Sequence, residues 1–246
     1  MEGHAKCIAT NNKLEKKAAA ERLVRYWQHR VEVFGPSKAF GPLTLAAGAL
    51  DGDEAALETG FIRLLPSCRD PVGRPVLFLD PSRHFPGTYP RESMVRVFWY
   101  MIHCALEPPP PSDQDCDNDN PSVVVAAAAA ARGVVFVGYP RNVQLSQFDP
   151  KLIQANIGYV KSSLPLRLSG MHVCHPPSFF GVIFPVVQYM LASYLQHLHV
   201  HQGSDEQVLD QLSVFGLPKQ GLPTELGGDF QLDHSAWLQE RRSRGH

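Results

Sequence analysis

The sequence lacks the features that mark several common classes of protein. Basic and acidic residues almost cancel, with 23 Lys and Arg against 24 Asp and Glu and a formal net charge of −1. A chain with this balance has no overall positive field for displacing counterions from nucleic acid, so we expect no nucleic-acid partner. The five cysteines are scattered without a Cys-x-x-Cys pair, and residues 1–17 contain no apolar signal core. Both absences predict free thiols and a cytoplasmic location.

Signatures of catalysis are missing as well. The chain contains no Gly-x-Ser-x-Gly elbow, no P-loop and no Gly-x-Gly-x-x-Gly turn, which are the usual marks of acyl transfer and nucleotide binding. The segment from Cys68 to Arg74 has the Cys-x5-Arg spacing of phosphatases. A phosphatase loop follows a strand and opens a helix, whereas this segment precedes a predicted strand and contains Pro71. We therefore predict no catalytic residues, no cofactor and no enzymatic activity.

Two groups of candidate metal ligands are incomplete. The alternating aspartates of 113–119 have the spacing that begins a calcium loop, but Asn118 and Val124 occupy the positions that require Gly and Glu. Three histidines alternate on a predicted strand: His197, His199 and His201. Alternate residues of a strand lie about 6.6 to 6.8 Å apart at Cα, which is awkward for three ligands of one zinc ion. We predict a solvated linker and a half-polar strand without metal. An enzyme is an alternative only if the histidine strand binds a metal ion.

Short apolar runs alternate with helical patterns from residue 73 onwards. With 44% hydrophobic residues among 246, the chain can bury the core of one large domain. The apolar runs predict four strands, at Pro75–Asp80, Gly133–Tyr139, Leu166–Val173 and His197–His201. Helical patterns lie between and after them, including Pro90–Leu106, a helix capped by Asp149 and a helix with a capping box at Ser204 and Gln207. Strands that alternate with helices predict an α/β fold with a largely parallel sheet.

The predicted elements divide the chain into three parts. Apolar spacing predicts helices over 12–34 and 51–59, which form a small N-terminal helical lobe at 1–66. The α/β domain occupies 67–230, and a polar, Pro-rich stretch at 107–122 predicts a disordered insertion within it. Residues 231–246 are predicted to form a C-terminal tail.

One segment is unusually apolar for a helix of a soluble protein. Phe179 to Leu195 is a 17-residue apolar run, at the lower edge of what spans a bilayer. Pro185 and Gln188 interrupt the run, and no cluster of basic residues flanks it. We therefore predict an apolar helix of a folded domain rather than a membrane span.

Five stretches of the sequence occur in an order that is typical of one family. They are GRPVLFLDPSRH (Gly73–His84), GVVFVGYPRNVQLSQFDP (Gly133–Pro150), LRLSGMHVCHPPSFF (Leu166–Phe180), HLHVHQGSDEQVLDQL (His197–Leu212) and LPTELGG (Leu222–Gly228). Together they resemble the CRAL-TRIO lipid-binding domains, the family of the retinaldehyde and tocopherol carriers and the yeast phosphatidylinositol transfer protein. The resemblance runs from Gly73 to Phe230, about two-thirds of the chain.

The resemblance implies an α/β sandwich whose sheet forms the floor of a hydrophobic cavity, with the Phe179–Leu195 helix as a mobile gate. It implies a non-catalytic protein that binds a hydrophobic lipid or phospholipid and transfers or presents it at a membrane surface, which it contacts transiently. A gate helix faces lipid on both sides, which accounts for its apolar composition. The residues expected to line the cavity are Phe78, Val135, Val137, Tyr139, Met171, Val173, Phe179, Phe180, Ile183, Phe184 and Val187.

The sequence departs from the inositol-lipid-binding members of this family at two places. Those members carry an acidic residue at the start of the third strand and a Lys at the fourth, where this chain has Pro-Leu-Arg at 165–167 and Gln-His-Leu at 196–198. These departures argue against specificity for an inositol lipid. The alternative function is a CRAL-TRIO scaffold for protein interaction, with the cavity filled by the protein's own side chains. No pattern in the sequence predicts an oligomeric state.

Overall fold

A computed structural model describes residues 13–107 and 133–245 of the chain. Five strands are present among these residues: β1 Ile62–Arg69, β2 Pro75–Leu79, β3 Val134–Gly138, β4 Leu168–Cys174 and β5 Leu198–His201. The helices are α1 Lys13–Lys38, α2 Glu54–Glu58, α3 Arg91–Leu106, α4 Pro150–Ser162, α5 Phe180–Met190, α6 Asp205–Ser213 and α7 His234–Ser243. All but the first residue of the predicted insertion at 107–122 lies outside the described residues.

The five strands form one sheet in the order β1-β2-β3-β4-β5. β1 runs antiparallel to β2, and the three pairs that follow are parallel. A helix lies between each pair of parallel strands along the chain, as a parallel connection requires. The predicted α/β fold with a largely parallel sheet is confirmed, and all four predicted strands are present.

The edge strand β1 is absent from the prediction because its sequence does not alternate cleanly. It contains Pro66, which is tolerated at a sheet edge, and the charged Arg63. Arg63 is nevertheless buried, because its guanidinium lies 3.4 Å from Asp80 and 2.6 Å from Glu225. The strand crosses the boundary predicted between residues 66 and 67, so the sheet begins before that boundary.

The Cys-x5-Arg segment lies at the end of β1 and in the turn that leads to β2. Cys68 is fully buried in β1, where burial, followed by the charge of Asp70, raises the pKa of its thiol to about 11. A phosphatase needs a thiolate, so its cysteine requires a lowered pKa. The segment is therefore part of the core and turn of a hairpin.

Two hydrophobic layers bury the two faces of the sheet. On one face, Leu77, Phe136 and Leu168 pack with α1 and α3, and the rings of Phe98 and Phe136 stack with centroids 6.2 Å apart. On the opposite face, Phe78 and Val137 pack with α6 and the segment that follows it. Successive strand residues point to opposite faces, so the two layers alternate along each strand.

The helix ends follow local chemistry. Asp149 caps α4 by accepting from the backbone N–H of Leu152 at 3.0 Å, and Ser204 and Gln207 form the predicted capping box of α6. Residues 51–52 lie outside α2, which begins at Glu54, so the predicted start at residue 51 is wrong by three residues. No helix among residues 13–107 and 133–245 is both long and apolar enough to cross a membrane.

A helix occupies most of the segment predicted as a C-terminal tail. Leu238 of α7 is buried in the same core as α3, and Nε2 of His234 donates to the carbonyl oxygen of Leu57 at 2.8 Å. Arg241 makes an ion pair with Glu107 at 2.6 Å. Only three of the ten residues of α7 are apolar, so the sequence shows no clear helical pattern here and predicts a tail.

Candidate functional site

An apolar pocket lies between the sheet, α4 and α5. Its cavity volume is about 230 Å³, and its wall consists almost entirely of hydrophobic side chains. The strands contribute Phe136, Gly138, Met171 and Val173 to the wall; α4 contributes Leu152, Ile153, Asn156, Ile157 and Val160; and α5 contributes Phe180, Ile183 and Val187. The pocket is thus built from the carboxyl-terminal half of the sheet and the two helices that flank β4.

Helical spacing brings these side chains to one place. On α4, which starts at the Asp149 cap, the pocket residues recur three and four positions apart and form one stripe. On α5 the same spacing directs Ile183 and Val187 inward. His175, with φ of 52°, turns the chain from β4 towards α5, so the end of the strand fixes where the apolar helix begins.

The structure divides the eleven residues expected to line the cavity into two sets. Six lie along the pocket: Met171, Val173, Phe179, Phe180, Ile183 and Val187. Four lie on the opposite face of the sheet, in the layer covered by α6: Phe78, Val135, Val137 and Tyr139. The remaining one, Phe184, lines a neighbouring groove. Phe78, Val135 and Val137 are strand residues whose side chains point to the α6 side, and Tyr139 directly follows β3. A shift of one residue along a strand moves a side chain to the other face.

The neighbouring groove opens at the carboxyl ends of β3, β4 and β5. Its wall includes Arg141, His175, Phe184 and Val200. Nη1 of Arg141 donates to Oδ1 of Asp205 at 2.7 Å, and Nε2 of His175 lies 3.2 Å from the same oxygen. Pro177 and Phe180 line both the groove and the pocket, so the two spaces adjoin at the start of α5.

The outer face of α5 is apolar and exposed. Val182 is 79% exposed, Val186 is 45% exposed and Tyr189 is 84% exposed. Their spacing of four and three places them on one face of the helix, away from Ile183 and Val187. None of the α5 residues is fully buried, so the helix has hydrophobic side chains towards the pocket and towards solvent.

The alternating histidines form a cluster with a residue that the sequence did not indicate. His199 and His201 lie beside His172 of β4, whose ring centroid is 5.2 Å from each of theirs; we call these three the histidine cluster. His197 precedes β5, in a short 3-10 turn. Nδ1 of His172 lies 2.9 Å from Nε2 of His201, and Phe215 covers the rings. The described part of the chain contains no group of three or more His, Cys, Asp or Glu residues that could hold a metal ion.

Because of the histidine cluster, we expect the free energy of unfolding to fall at acidic pH. Burial, followed by the charges of His201 and His199, lowers the pKa of His172 to about 3 from 6.5, so the unfolded chain binds a proton that the folded chain does not. The stabilisation is complete above about pH 6.5 and is lost as the pH falls from 6.5 towards 3. We expect His172 alone to lower the free energy of unfolding by about 2 kcal/mol between pH 7 and pH 5.

Urea unfolding at pH 7 and pH 5 measures this loss. Burial also lowers the pKa of His199 and of His201, so both add to it in the same direction. His172→Gln should reduce the difference between the two pH values, whatever its effect at pH 7. A difference that is equally large in His172→Gln would contradict the assignment to His172.

Known proteins are similar to most of this chain. The sequence profile of the CRAL/TRIO domain family matches residues 64–228. Two similar curated proteins, each named alpha-tocopherol transfer protein-like, come from Mus musculus and Homo sapiens; they are 27% and 28% identical over 185 residues. The matched region covers 74% of this chain and 47% of each relative, so the chain spans about half the length of the curated relatives that it matches.

Proposed function

The chain belongs to the CRAL/TRIO domain family, and from that membership we propose that it binds a hydrophobic lipid in the apolar pocket and transfers or presents it at a membrane. The observation that carries the proposal is the pairing of an apolar pocket with a helix, α5, that is apolar on both its inner and outer faces. The proposed ligand contacts are the six expected residues that lie along the pocket. No catalytic step is needed, because binding and release change no covalent bond.

The size of the pocket supports a moving gate. A cavity of about 230 Å³ is below the range of about 300 to 1,000 Å³ that is usual for small-molecule sites. A lipid therefore fits only if the wall moves outward, and among the α-helices that the structure describes α5 is the one with no fully buried residue to hold it. Segments with few buried contacts open at the lowest cost in free energy. We propose that α5 is the gate.

The energetics favour exchange between membranes over release into water. Burial of one methylene group is worth about 0.8 kcal/mol, so a 16-carbon chain in the pocket gains roughly 12 kcal/mol relative to water. Relative to a bilayer interior the gain is close to zero, because both surroundings are apolar. We propose that the protein acts in the cytoplasm and contacts a membrane transiently. The opening of α5 would control the exchange of lipid.

The names of the two relatives suggest a first ligand to test. Both are called alpha-tocopherol transfer protein-like, so alpha-tocopherol belongs in any initial panel alongside phospholipids and isoprenoid alcohols. The small volume of the pocket favours one alternative, in which the protein's own side chains fill the cavity and the fold serves as a protein-interaction module.

Native mass spectrometry of the full chain, purified without detergent, separates the two functions. We expect an added mass equal to one lipid per protein, and extraction should identify that lipid. Transfer of labelled lipid between donor and acceptor vesicles gives a second measurement. A protein without added mass that also fails to move phospholipid, alpha-tocopherol or an isoprenoid alcohol would leave only the interaction module.

A further inference from the structure

One side-chain amide in the apolar pocket has no partner for its oxygen. Oδ1 of Asn156 on α4 is buried and accepts no hydrogen bond from any residue that the structure describes. The other α4 residues on the wall are Leu152, Ile153, Ile157 and Val160. Asn156 is therefore a single polar group within a hydrophobic stripe.

A polar group in this position calls for a physical reason. Buried polar atoms in folded proteins almost always have a hydrogen-bond partner, and an exception inside a pocket indicates that the partner comes from outside the chain. A leucine or isoleucine would complete the apolar stripe without leaving an amide unpaired. The amide thus costs stability in the empty protein and can recover that cost only when a ligand supplies a polar atom.

The charges around the pocket limit what that polar atom can be. The described residues of the wall include no Lys or Arg side chain, and the one carboxylate among them, on Asp149, is already paired with Arg91 at 2.7 Å. A phosphate or carboxylate placed here would lose its hydration without gaining an opposite charge. The polar atom therefore belongs to a neutral group.

A hydroxyl group fits the amide in either of its orientations. It can donate to Oδ1 of Asn156, and it can accept from the amide nitrogen if the two ends of the amide are exchanged. We propose that the natural ligand is a neutral lipid carrying a hydroxyl group and that Asn156 selects it by pairing with that hydroxyl. This proposal rests on the proposed function, that the pocket holds a lipid.

A second unpartnered atom on the wall has different surroundings. Nε2 of His84 makes no hydrogen bond, but it lies 3.9 Å from Oδ2 of Asp149, and Nδ1 of the same ring is 2.9 Å from the hydroxyl of Tyr89. Asn156 is seven residues further along α4 than Asp149, or about 10 Å along the helix axis. His84 thus has polar side chains beside it, whereas the α4 residues next to Asn156 on the wall are all apolar. We therefore assign the hydroxyl of the ligand to Asn156.

Matched pairs of lipids that differ only in the hydroxyl group test the proposal. The probes are hexadecanol with its methyl ether, and alpha-tocopherol with its methyl ether, each measured by displacement of a fluorescent lipid from the full chain. We expect at least one alcohol to bind at least tenfold more tightly than its ether. Asn156→Leu should reduce that preference to less than about threefold while the ether still binds. Gln154→Leu, which replaces an exposed amide on the same helix, should keep the preference.

The outcomes separate this inference from the proposed function. Failure of the fluorescent lipid and of all four probes to bind the unmodified protein overturns both, whereas binding of the fluorescent lipid with no displacement by any probe overturns this inference alone. Binding of alcohols and ethers with equal affinity, or a preference that survives in Asn156→Leu, overturns the role of Asn156 and leaves lipid binding in place.

Thermal unfolding of the lipid-free protein gives an independent readout. Asn156 is half-buried, and removal of its buried, unpaired Oδ1 should raise Tm by about 2 to 4 °C in a domain of this size. A lowered Tm in Asn156→Leu would mean that the amide already has a partner in the empty pocket, and it would overturn the proposal.

Discussion

Val173→Trp should reduce lipid binding at least tenfold in a protein that still folds. Val173 lies on β4, half-buried, with its side chain on the pocket wall. An indole at this position would occupy much of a cavity of about 230 Å³, so a lipid and the indole could not fit together. Because the side chain enters open space, the substitution should change the free energy of unfolding by less than about 1 kcal/mol. Native mass spectrometry measures the bound lipid, and urea unfolding measures stability.

Val137→Trp is the matched control on the neighbouring strand. Val137 is fully buried in the layer beneath α6, on the opposite face of the sheet. The same indole there should overpack the core and lower the free energy of unfolding by about 1 to 3 kcal/mol. The folded fraction should still carry its lipid. Equal loss of lipid in the two variants, or loss only in Val137→Trp, would mean that the ligand occupies the α6 side of the sheet.

The contrast between these two valines shows how far the sequence can predict the site. The apolar runs predict β2 and β3 correctly, but both strands are buried on both faces, so every residue from Val76 to Phe78 is apolar and buried. A strand of this kind has no alternation to show which face bears the pocket. The assignment of Phe78 and Val137 to the pocket therefore had no support from periodicity, and the structure places both on the other face.

Other parts of the site could be predicted from the sequence. The run from Phe179 to Leu195 predicts the helix on the wall of the pocket, with Ile183 and Val187 along it. The α-helix covers only Phe180–Met190 of that run, and a 3-10 turn follows at Ala192–His197. The spacing on α4 predicts an apolar face, but only the tertiary packing shows that this face borders a cavity. Whether Oδ1 of Asn156 has a hydrogen-bond partner depends on atoms from several elements. No local sequence pattern can therefore predict that it is unpaired.

The fold gives a reason why α5, the helix after β4, is the proposed gate. A helix between two parallel strands packs on the sheet through one stripe, and α4 shows this arrangement, with Leu152 and Val160 buried. α5 holds the same topological place between β4 and β5, yet the pocket separates it from the sheet. Its inner stripe therefore faces a cavity, and its stability in the closed position depends on what fills that cavity.

The double variant Val182→Glu/Val186→Glu should weaken binding to lipid vesicles about tenfold to a hundredfold. Both side chains lie on the exposed outer face of α5, so the folded protein should keep its stability within about 0.5 kcal/mol. Full burial of one valine in an apolar phase is worth about 1.5 to 3 kcal/mol, and partial burial at a membrane surface yields a fraction of this for each side chain. Co-sedimentation with neutral phosphatidylcholine vesicles measures the binding without a contribution from lipid charge.

A second double variant controls for the added charge. Val72→Glu/Val214→Glu also replaces two exposed valines, which are 45% and 83% exposed, and lies in the β1–β2 turn and just after α6. These positions flank the layer on the side of the sheet away from the pocket, so vesicle binding should stay within about twofold of the unmodified protein. The α5 variant should keep the lipid that is already bound in its pocket. Its rate of lipid transfer between vesicles should fall together with its vesicle binding. If both double variants bind vesicles equally well, the outer face of α5 is not the surface that meets the membrane.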